Sequence, residues 1–468
     1  MSAPEVVVVG GGVAGLAAAY RLGRSMPHAH VRVLEASSRI GGSLRVAEVG
    51  GVAVDVGAEA MLNRRPEAVG LAREIGLVDD LVHPATTTAN LWNRGVLVPM
   101  PRTLMGVPLD LRAVDGVLST KGQARAALDA VLPATDLGDE DVSVGHLVEE
   151  RLGKEVVDRL VEPLLGGVYA GHARELSARA TVPQVVALLA RDRSLSRAAA
   201  AATPSVDGTA VPVFAGLRGG VGRLPLALAA LVEAAGGDVH TGATVRDLAA
   251  RPGGGWNLVV GSTRDPEVLH ADAVVLATPA RPTARLLSDV APGAALDLAR
   301  IQYASMAIVT LAFPARDFPS VAGSGFLVPP VDGRTVKAAT FSAAKWEWIR
   351  EAGGDLVVMR CSIGRHREEQ VLQVEDEELV RIALADLADA IGLSVPPADT
   401  HVQRWGGALP QYAVGHLGRV ASVRRQLASV RGVAVCGSAY DGLGIPACIA
   451  SAELAVSKIL GDLAMMEP

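Results

Sequence analysis

The sequence predicts an α/β fold in which both ends of the chain build one parallel, doubly wound sheet domain. Near the amino terminus an apolar strand over residues 6–9 leads directly into a glycine-rich turn and an Ala/Leu-rich helix. Near the carboxyl terminus the same order returns, with a strand over residues 432–437 and a helix over residues 445–460. The 468 residues exceed what a single hydrophobic core organises, so a second domain is expected between these ends.

The first turn carries the pattern Gly10-x-Gly12-x-x-Gly15, and the next strand, residues 31–34, ends at Glu35. The first glycine permits a sharp turn, the second lets the backbone approach a pyrophosphate, and the third lets the helix pack on the strand. A carboxylate about 20 residues further on can accept hydrogen bonds from both ribose hydroxyls. The pattern therefore predicts a Rossmann-like, dinucleotide-binding unit. Its candidate binding residues are Gly10, Gly11, Gly12, Val13, Ala14, Gly15 and Glu35.

The middle of the chain changes its pattern several times. Residues 62–210 are mostly helical in pattern, strand signals return at residues 237–245 and 271–278, and further strand-like runs follow between residues 301 and 403. We assign residues 1–62, 211–300 and 404–468 to the nucleotide-binding domain. Residues 63–210 and 301–403 are assigned to a partly helical, mixed-sheet substrate domain that is inserted twice.

Composition excludes several classes of function. The 44 basic and 50 acidic residues give a net charge of -6 without a long run of either sign, which argues against nucleic acid as a partner. The three cysteines form no C-x-x-C pair, so no zinc site or disulfide framework is expected. This cysteine content agrees with a location in the reducing cytoplasm. No apolar run reaches the ~18 residues of a transmembrane helix. We therefore expect a cytoplasmic protein without a bound metal or a membrane-spanning segment.

The run after Glu35 indicates which dinucleotide binds. Residues 35–45 read E-A-x-x-R-x-G-G-x-x-R, which resembles the second glycine motif of the flavoprotein superfamily of amine oxidases, phytoene desaturases and protoporphyrinogen oxidases. The resemblance implies FAD as the cofactor and an FAD-binding domain of the amine oxidase and protoporphyrinogen oxidase type. Charge agrees with this interpretation, because Arg39 and Arg45 can offset a diphosphate.

The same resemblance implies further contacts with FAD. In the second glycine motif, the residues implied to contact the FAD diphosphate are Ala36, Arg39, Gly42 and Ser43. In the later segment that would pass the isoalloxazine, the implied contacts are Gly57, Ala58, Glu59 and Ala60. Val245 matches the adenine side, Trp405 matches a position near the flavin ring, and the start of the last helix supplies Leu443, Gly444 and Ile445. That helix would direct its positive end at the flavin pyrimidine ring, where negative charge gathers on reduction. For Trp405, a purely structural role in the core is the alternative.

Three further stretches, residues 161–171, 217–224 and 408–417, resemble the porphyrinogen oxidases in particular, of the soluble bacterial, coproporphyrin-forming type. The resemblance implies FAD-dependent oxidation of coproporphyrinogen III to coproporphyrin III in haem biosynthesis, with oxygen accepting six electrons and hydrogen peroxide as product. The flavin would accept the hydride, so no side chain is assigned as a catalytic residue. Protoporphyrinogen IX oxidation, amine oxidation and carotenoid desaturation stay open as alternatives, as does a flavin-free binding protein of this fold.

A substrate with four propionates needs cations in its site. Arg64 and Arg65 match the region where the family places a basic residue, and Gly167 and Tyr169 match its substrate-domain loop. The structural alternatives are a solvated turn before the helix at Pro66 and a plain turn at a helix end. The expected partners are the porphyrinogen, oxygen and, by transient docking, the next enzyme of the haem pathway.

Overall fold

A parallel sheet of five strands forms the centre of the nucleotide-binding region. A computed structural model describes residues 3–189, 191–203 and 212–465 of the chain. In spatial order the strands are Asp238–His240, His30–Leu34, Glu5–Val9, Ala273–Leu276 and Val433–Val435, and all neighbours pair in parallel. The first and last segments of the chain therefore meet in one sheet, as the sequence predicts.

Both faces of this sheet are covered, which makes a three-layer α/β domain. Alternate side chains of a strand point to opposite faces, so Val6 and Val8 enter one core and Val7 and Val9 enter another. The first core packs the sheet against helices, which are Val13–Ser25, Pro66–Glu74, Arg223–Ala234 and Ile445–Ala464. The second packs it against helices Ala280–Leu286, Pro292–Ala299 and His416–Ala428 and an antiparallel sheet of strands Val245–Ala250, Trp256–Gly261 and Pro266–Ala271. The predicted fold class is confirmed.

The prediction of one continuous strand over residues 237–245 is wrong, because this segment contributes to two separate strands. Asp238–His240 joins the parallel sheet, the backbone then turns at Gly242 with a φ of 69°, and Val245 begins the antiparallel sheet. A positive φ of this kind ends an extended run, and glycine adopts it at little cost. One strand-like stretch of the sequence therefore contributes residues to two different sheets.

A second sheet of seven strands carries the other half of the molecule. In spatial order its strands are Asp399–Pro410, Tyr303–Pro314, Leu356–Ile363, Val336–Thr340, Gly325–Leu327, Asn90–Asn93 and Val96–Pro99. Helix Asp376–Ile391 packs on one face through Leu379, Ala383 and Leu387. Helices Ser342–Lys345 and Glu347–Gly353 connect its strands.

A helical layer completes the molecule beside this sheet. Its helices are Thr120–Ala127, Val144–Leu152, Lys154–Val156, the π-helical Val157–Val161, Glu162–Tyr169, Ala178–Thr181, Pro183–Leu189 and Leu195–Ala202. Short 3-10 turns are Val78–Asp80, Leu128–Ala130, Ala315–Asp317, Pro330–Asp332 and Glu369–Gln373. The remaining strands are short: Val46–Val49, Val52–Asp55, Met61–Leu62, Leu81–Val82, Thr103–Leu104, Val107–Pro108 and Phe214–Leu217. The predicted helical character of residues 62–210 is thus wrong for the strands that join the seven-stranded sheet.

The division into two discontinuous domains remains our proposal, with two remarks on its boundaries. The boundary between residues 210 and 211 lies outside the described residues. The boundary between residues 403 and 404 falls inside strand Asp399–Pro410, which pairs with Tyr303–Pro314 along most of its length. Within residues 3–189, 191–203 and 212–465, no helix is long and apolar enough to cross a membrane.

Candidate cofactor-binding site

One cavity of about 550 Å³ lies at the carboxyl ends of the central parallel strands. Val9 and Leu34, the last residues of two neighbouring strands, line it together with Ala277 and Gly437, which closely follow two others. In open parallel sheets ligands bind outside the carboxyl ends of the strands, in the crevice between the connecting loops. The topology therefore places this cavity where a dinucleotide would bind.

The glycines of the first turn serve different purposes. A Cβ at Gly10 would lie 2.9 Å from the Ala277 carbonyl oxygen, and one at Gly15 would lie only 1.9 Å from the Gly10 carbonyl oxygen. These two glycines are required by the protein itself. At Gly12 the nearest atom is the Gly42 Cα at 4.0 Å, so the protein leaves room for a side chain there. Because Gly12 lines the cavity, its missing side chain fits close approach of a ligand such as a pyrophosphate.

Two helices begin at this cavity. Gly12 precedes helix Val13–Ser25, and Gly444 precedes the 20-residue helix Ile445–Ala464. Pro446 lies in the first turn of the second helix, where its missing N–H leaves no hydrogen bond unmade. The free N–H groups and the positive dipole end of each helix favour negative charge in the cavity. Opposite ends of the chain thus contribute equivalent anion-binding elements.

The Glu35 carboxylate is fixed by the backbone at the cavity wall. Its Oε2 accepts a hydrogen bond from the Gly11 N–H at 2.8 Å, and its Oε1 accepts one from the Ser37 N–H at 2.8 Å. Each oxygen keeps a lone pair for a ligand hydroxyl. The carboxylate is therefore preorganised for a diol such as ribose.

We expect Glu35→Gln to weaken FAD binding by about tenfold, because an amide offers one acceptor oxygen and must turn an NH₂ group toward a backbone donor. Titration of the apoprotein with FAD, followed by flavin fluorescence, measures this loss. Glu48→Gln, on the exposed outer side of strand Val46–Val49, is the control and should leave the affinity unchanged. Equal affinity in both variants would contradict a ribose-binding role for Glu35.

Most of the sequence-predicted cofactor residues line this cavity. They are Gly10, Gly12, Val13, Ala14, Glu35, Ala36, Gly42, Ser43, Ala58, Ala60, Val245, Trp405, Leu443, Gly444 and Ile445. The others, Gly11, Gly15, Arg39, Gly57 and Glu59, are not part of its lining. We propose that the first set contacts FAD and that the second supports it.

Two of the supporting residues, Arg39 and Gly57, and the lining residue Trp405 hold the wall together by direct contacts. Arg39 donates to the Gly42 carbonyl oxygen at 2.8 Å, and its guanidinium lies 5.5 Å from the Trp405 ring centre. A Cβ at Gly57 would lie 2.1 Å from the Ser43 carbonyl oxygen, so only glycine lets these two segments meet. Trp405 itself donates from Nε1 to the Val56 carbonyl oxygen at 2.9 Å. The predicted diphosphate and isoalloxazine segments are therefore packed as one surface.

The Glu59 side chain turns away from the cavity into an ion triad with Arg360 and Lys345. The Arg360 Nη2 lies 2.8 Å from the Glu59 Oε2, and Lys345 pairs with the other oxygen. Burial alone would raise the pKa of Glu59, but Arg360 and Lys345 lower it to about 2. Arg360 also donates to the backbone oxygens of Asp55, at 2.7 Å, and Gly57, at 3.0 Å. This triad clamps the segment that would pass the flavin ring.

The Asp55 carboxylate anchors the other end of that segment. It accepts hydrogen bonds from the N–H groups of Val221, at 2.8 Å, and Gly222, at 3.0 Å, just before helix Arg223–Ala234. Burial raises the pKa of Asp55 to about 7 in spite of these bonds. The carboxylate thus ties the cavity wall to a helix of the first core.

Other lining residues were not identified from the sequence. Thr278 and Ser438 follow strands of the parallel sheet, so the rule that ligands lie at strand ends could have found them. Tyr303 and Arg285 gave no such signal, because they reach the cavity from strand Tyr303–Pro314 of the second sheet and from helix Ala280–Leu286. Burial raises the pKa of Tyr303 to about 12, and its hydroxyl accepts a hydrogen bond from the Ala280 N–H at 2.7 Å.

The four predicted substrate residues do not line this cavity. Arg64 is exposed beside a separate surface cavity of about 540 Å³, and Arg65 pairs with Glu67 at 2.5 Å. Gly167 and Tyr169 lie in helix Glu162–Tyr169, with Tyr169 buried. They belong to the helical layer beside the seven-stranded sheet, so their substrate role stays a prediction.

The donors present fit FAD: two helix starts and a glycine cradle suit its diphosphate, and a fixed carboxylate suits its ribose. Comparison with known proteins agrees. The chain is 37% identical to coproporphyrinogen III oxidase of Mycobacterium leprae (strain TN) over 469 residues, covering 99% of this chain and 100% of that protein. It is 36% identical to coproporphyrinogen III oxidase of Mycobacterium tuberculosis (strain ATCC 25618 / H37Rv) over 472 residues, covering 99% of both chains.

A solved structure from Exiguobacterium sp. 255-15, which carries the provisional name protoporphyrinogen oxidase, superposes with a TM-score of 0.87 at 30% identity. The superposition covers 98% of this chain and 99% of that one. Residues 13–460 match the family of flavin containing amine oxidoreductases. With nearly its whole length matched, the chain belongs to the flavin containing amine oxidoreductase family.

Proposed function

We propose that the protein is an FAD-dependent oxidase that converts coproporphyrinogen III to coproporphyrin III, with oxygen as acceptor and hydrogen peroxide as product. The observation that carries the proposal is identity of 36–37% over 99% of the chain with proteins named coproporphyrinogen III oxidase. Such similarity extends through both sheets and not only through the nucleotide-binding motifs. The protein is accordingly a flavin-dependent oxidoreductase that acts on a porphyrinogen.

The chemistry assigned to this chain's residues is mainly positioning. Bound FAD supplies the hydride acceptor for oxidation of the porphyrinogen ring. Gly12 and the two helix starts would hold its diphosphate, and Glu35 its ribose. Leu443 and Ala60, both at the cavity wall, are apolar and help to exclude water from the reacting atoms. Trp405 and Arg360 hold the backbone against which the ring would lie.

The substrate residues belong to the same proposal. Gly167 lies beside the second sheet, because a Cβ built on it would be 3.6 Å from a methyl carbon of Leu327. Since glycine has no side chain, the helix leaves the gap next to Leu327 unfilled at this position. Arg64 makes no hydrogen bond or ion pair with any residue of the described ranges and is free to bind a carboxylate. Arg65 would first have to leave Glu67. We therefore propose Arg64 as the stronger candidate of the two for a propionate.

Protoporphyrinogen IX is the second candidate substrate, because the Exiguobacterium structure carries the name of a protoporphyrinogen oxidase. The two substrates differ in carboxylate count, four against two, and in the size of the remaining ring substituents. The identity to the two mycobacterial coproporphyrinogen III oxidases is higher than the 30% to that protein, which favours the first candidate.

Side-by-side turnover of the two porphyrinogens by the yellow, purified protein tests the proposal. Porphyrin fluorescence and oxygen uptake are followed together, with an enzyme-free control for spontaneous oxidation. We expect a clear preference for coproporphyrinogen III and a higher KM for it in Arg64→Gln. Arg316→Gln, with a side chain that is 85% exposed, is the control. If neither porphyrinogen is oxidised although FAD is bound, amines and polyenes become the substrates to test.

Two further parts of the proposal concern the cellular setting. We propose a cytoplasmic location, which fits the reduced state of the three buried cysteines, Cys361, Cys436 and Cys448. We also propose transient docking with the next enzyme of the haem pathway, because coproporphyrin III must reach that enzyme. Co-elution of the two proteins on a sizing column, with and without coproporphyrin III, tests the docking.

A further inference from the structure

Two cations are buried together outside the cofactor cavity. Lys337, in strand Val336–Thr340, is 1% exposed, and Arg365, which follows strand Leu356–Ile363, is 4% exposed. The pairing of these two strands shifts register between Val336 and Ala338, so Lys337 is the extra residue of a bulge. A bulge redirects a side chain that regular alternation would place elsewhere. The Lys337 ammonium thereby lies inside the protein, 3.9 Å from the sulfur of Met306.

Neither cation forms an ion pair with a described residue, and the carboxylates of Glu368 and Glu162 act on Arg365 only from beyond ion-pair distance. The Lys337 Nζ donates to the Gly364 carbonyl oxygen at 2.7 Å and weakly to the Met306 sulfur at 3.9 Å, which leaves two protons without a strong acceptor. Arg365 donates to the Val328 carbonyl oxygen at 3.2 Å, while its buried Nε has no acceptor. Among the residues that the structure describes, no carboxylate lies within 4.0 Å of either group. Burial, reinforced by the neighbouring Arg365, lowers the pKa of Lys337 to about 7.

A cavity of about 440 Å³ lies beside this pair and is lined by Arg365. Gly364 and Arg365 line it, so the cavity reaches both Arg365 and the carbonyl that holds Lys337. The other charged residues of its lining are Arg334, Arg367 and Glu368. These are paired or solvated: Arg334 lies 2.6 Å from Asp389, Arg367 lies 2.6 Å from Glu175, and Glu368 is 51% exposed. Lys337 and Arg365, in contrast, form no ion pair with any described residue.

We propose that Lys337 and Arg365 form a carboxylate-binding site at the base of this cavity. Burying two cations with unused hydrogen-bond donors costs folding free energy unless an anion pairs with them. A carboxylate can accept hydrogen bonds from both cations at once. The carboxylate comes from a propionate of the tetrapyrrole, in which case the site rests on the proposed function, or from a free polycarboxylate.

The geometry favours the propionate. Met306, which contacts Lys337, pairs in register with Trp405, and Trp405 lines the cofactor cavity. Met306 is three residues along the strand from Tyr303, which also lines that cavity. Met306 thus connects the Lys337 site to two residues of the cofactor-cavity wall, Tyr303 and Trp405.

Binding of three probes to the FAD-loaded, full-length protein tests the site: coproporphyrin III, protoporphyrin IX and citrate. Calorimetry measures the affinity for citrate, and quenching of tryptophan fluorescence measures the affinity for each porphyrin. We expect Lys337→Met and Arg365→Lys each to weaken at least one carboxylate probe by about tenfold or more. Loss of porphyrin binding with citrate binding unchanged identifies a propionate, and loss of citrate binding identifies a free polycarboxylate. Lys121→Met, the same change at an exposed position, is the control and should bind like the parent.

Measurements of the melting temperature and of porphyrinogen turnover distinguish failure of the carboxylate site from failure of the proposed function. Lys337→Met replaces an unpaired buried cation by an apolar chain of similar size, so its melting temperature should not fall. Unchanged affinity of a folded Lys337→Met variant for all three probes overturns the site, whatever the turnover. Absence of porphyrinogen turnover, together with citrate binding that depends on Lys337, overturns the proposed function and leaves the site in place.

Discussion

Replacing Gly15 by alanine is expected to abolish retention of FAD and to lower the free energy of unfolding by about 3 kcal/mol. The new Cβ would lie 1.9 Å from the Gly10 carbonyl oxygen and 3.1 Å from the Ala277 Cβ. Neither contact involves a flexible side chain, so helix Val13–Ser25 must move away from strand Glu5–Val9. This movement displaces the helix start at Gly12, which would hold the diphosphate.

Gly23→Ala provides the matched control, because Gly23 lies in the same helix and a Cβ there meets nothing within 4 Å. Alanine should stabilise this position by about 0.5–1 kcal/mol through its higher helix propensity. Urea unfolding and the ratio of flavin to protein after gel filtration measure both effects. If Gly15→Ala retains FAD as Gly23→Ala does, the turn is not the diphosphate site.

Arg360→Met is expected to lower the free energy of unfolding by about 3–5 kcal/mol, because it leaves the Glu59 carboxylate with a single cationic partner, Lys345, at a site with little solvent. The side chains of Arg360 and Glu59 are 9% and 11% exposed. The variant also frees the backbone oxygens of Asp55 and Gly57 that Arg360 holds. Because this segment would pass the flavin, we expect weaker FAD binding and an altered visible spectrum of the bound flavin.

The matched control is Arg350→Met, which removes an arginine from the exposed pair with Glu347. Those side chains are 65% and 64% exposed, so the change should stay within about 0.5 kcal/mol. The double variant Glu59→Gln/Arg360→Met should lose less stability than the sum of its single variants, since the two partners share one interaction. Additive losses would show that Arg360 acts through packing alone and not through the ion triad.

The local elements of the nucleotide-binding region could be predicted from the sequence. Strands at residues 6–9 and 31–34, the glycine turn between them and the last helix all follow from short-range rules of backbone freedom and hydrophobic periodicity. The resemblance added FAD and named positions on the cavity wall. The strand over residues 237–245 was drawn too long, because periodicity does not show where a run changes from one sheet to another.

The contacts that join distant segments were not predictable in this way. The Glu59 carboxylate pairs with Lys345 and Arg360, about 300 residues along the chain, and its contact with the cofactor stays a prediction. Tyr303 enters the cofactor cavity only because its strand pairs with Asp399–Pro410, which carries Trp405. No local pattern encodes the register of such long-range pairs.

The sequence by itself determined the α/β class, the turn chemistry and the residues that can bind a dinucleotide, because these depend on neighbours within a few positions. Only the tertiary structure decided which charges lack partners. Lys337 looks like an ordinary strand lysine in the sequence, and a bulge and the approach of Arg365 make it a buried cation. Burial and counter-charge are properties of the assembled core, and they are set by segments that meet only when the chain folds.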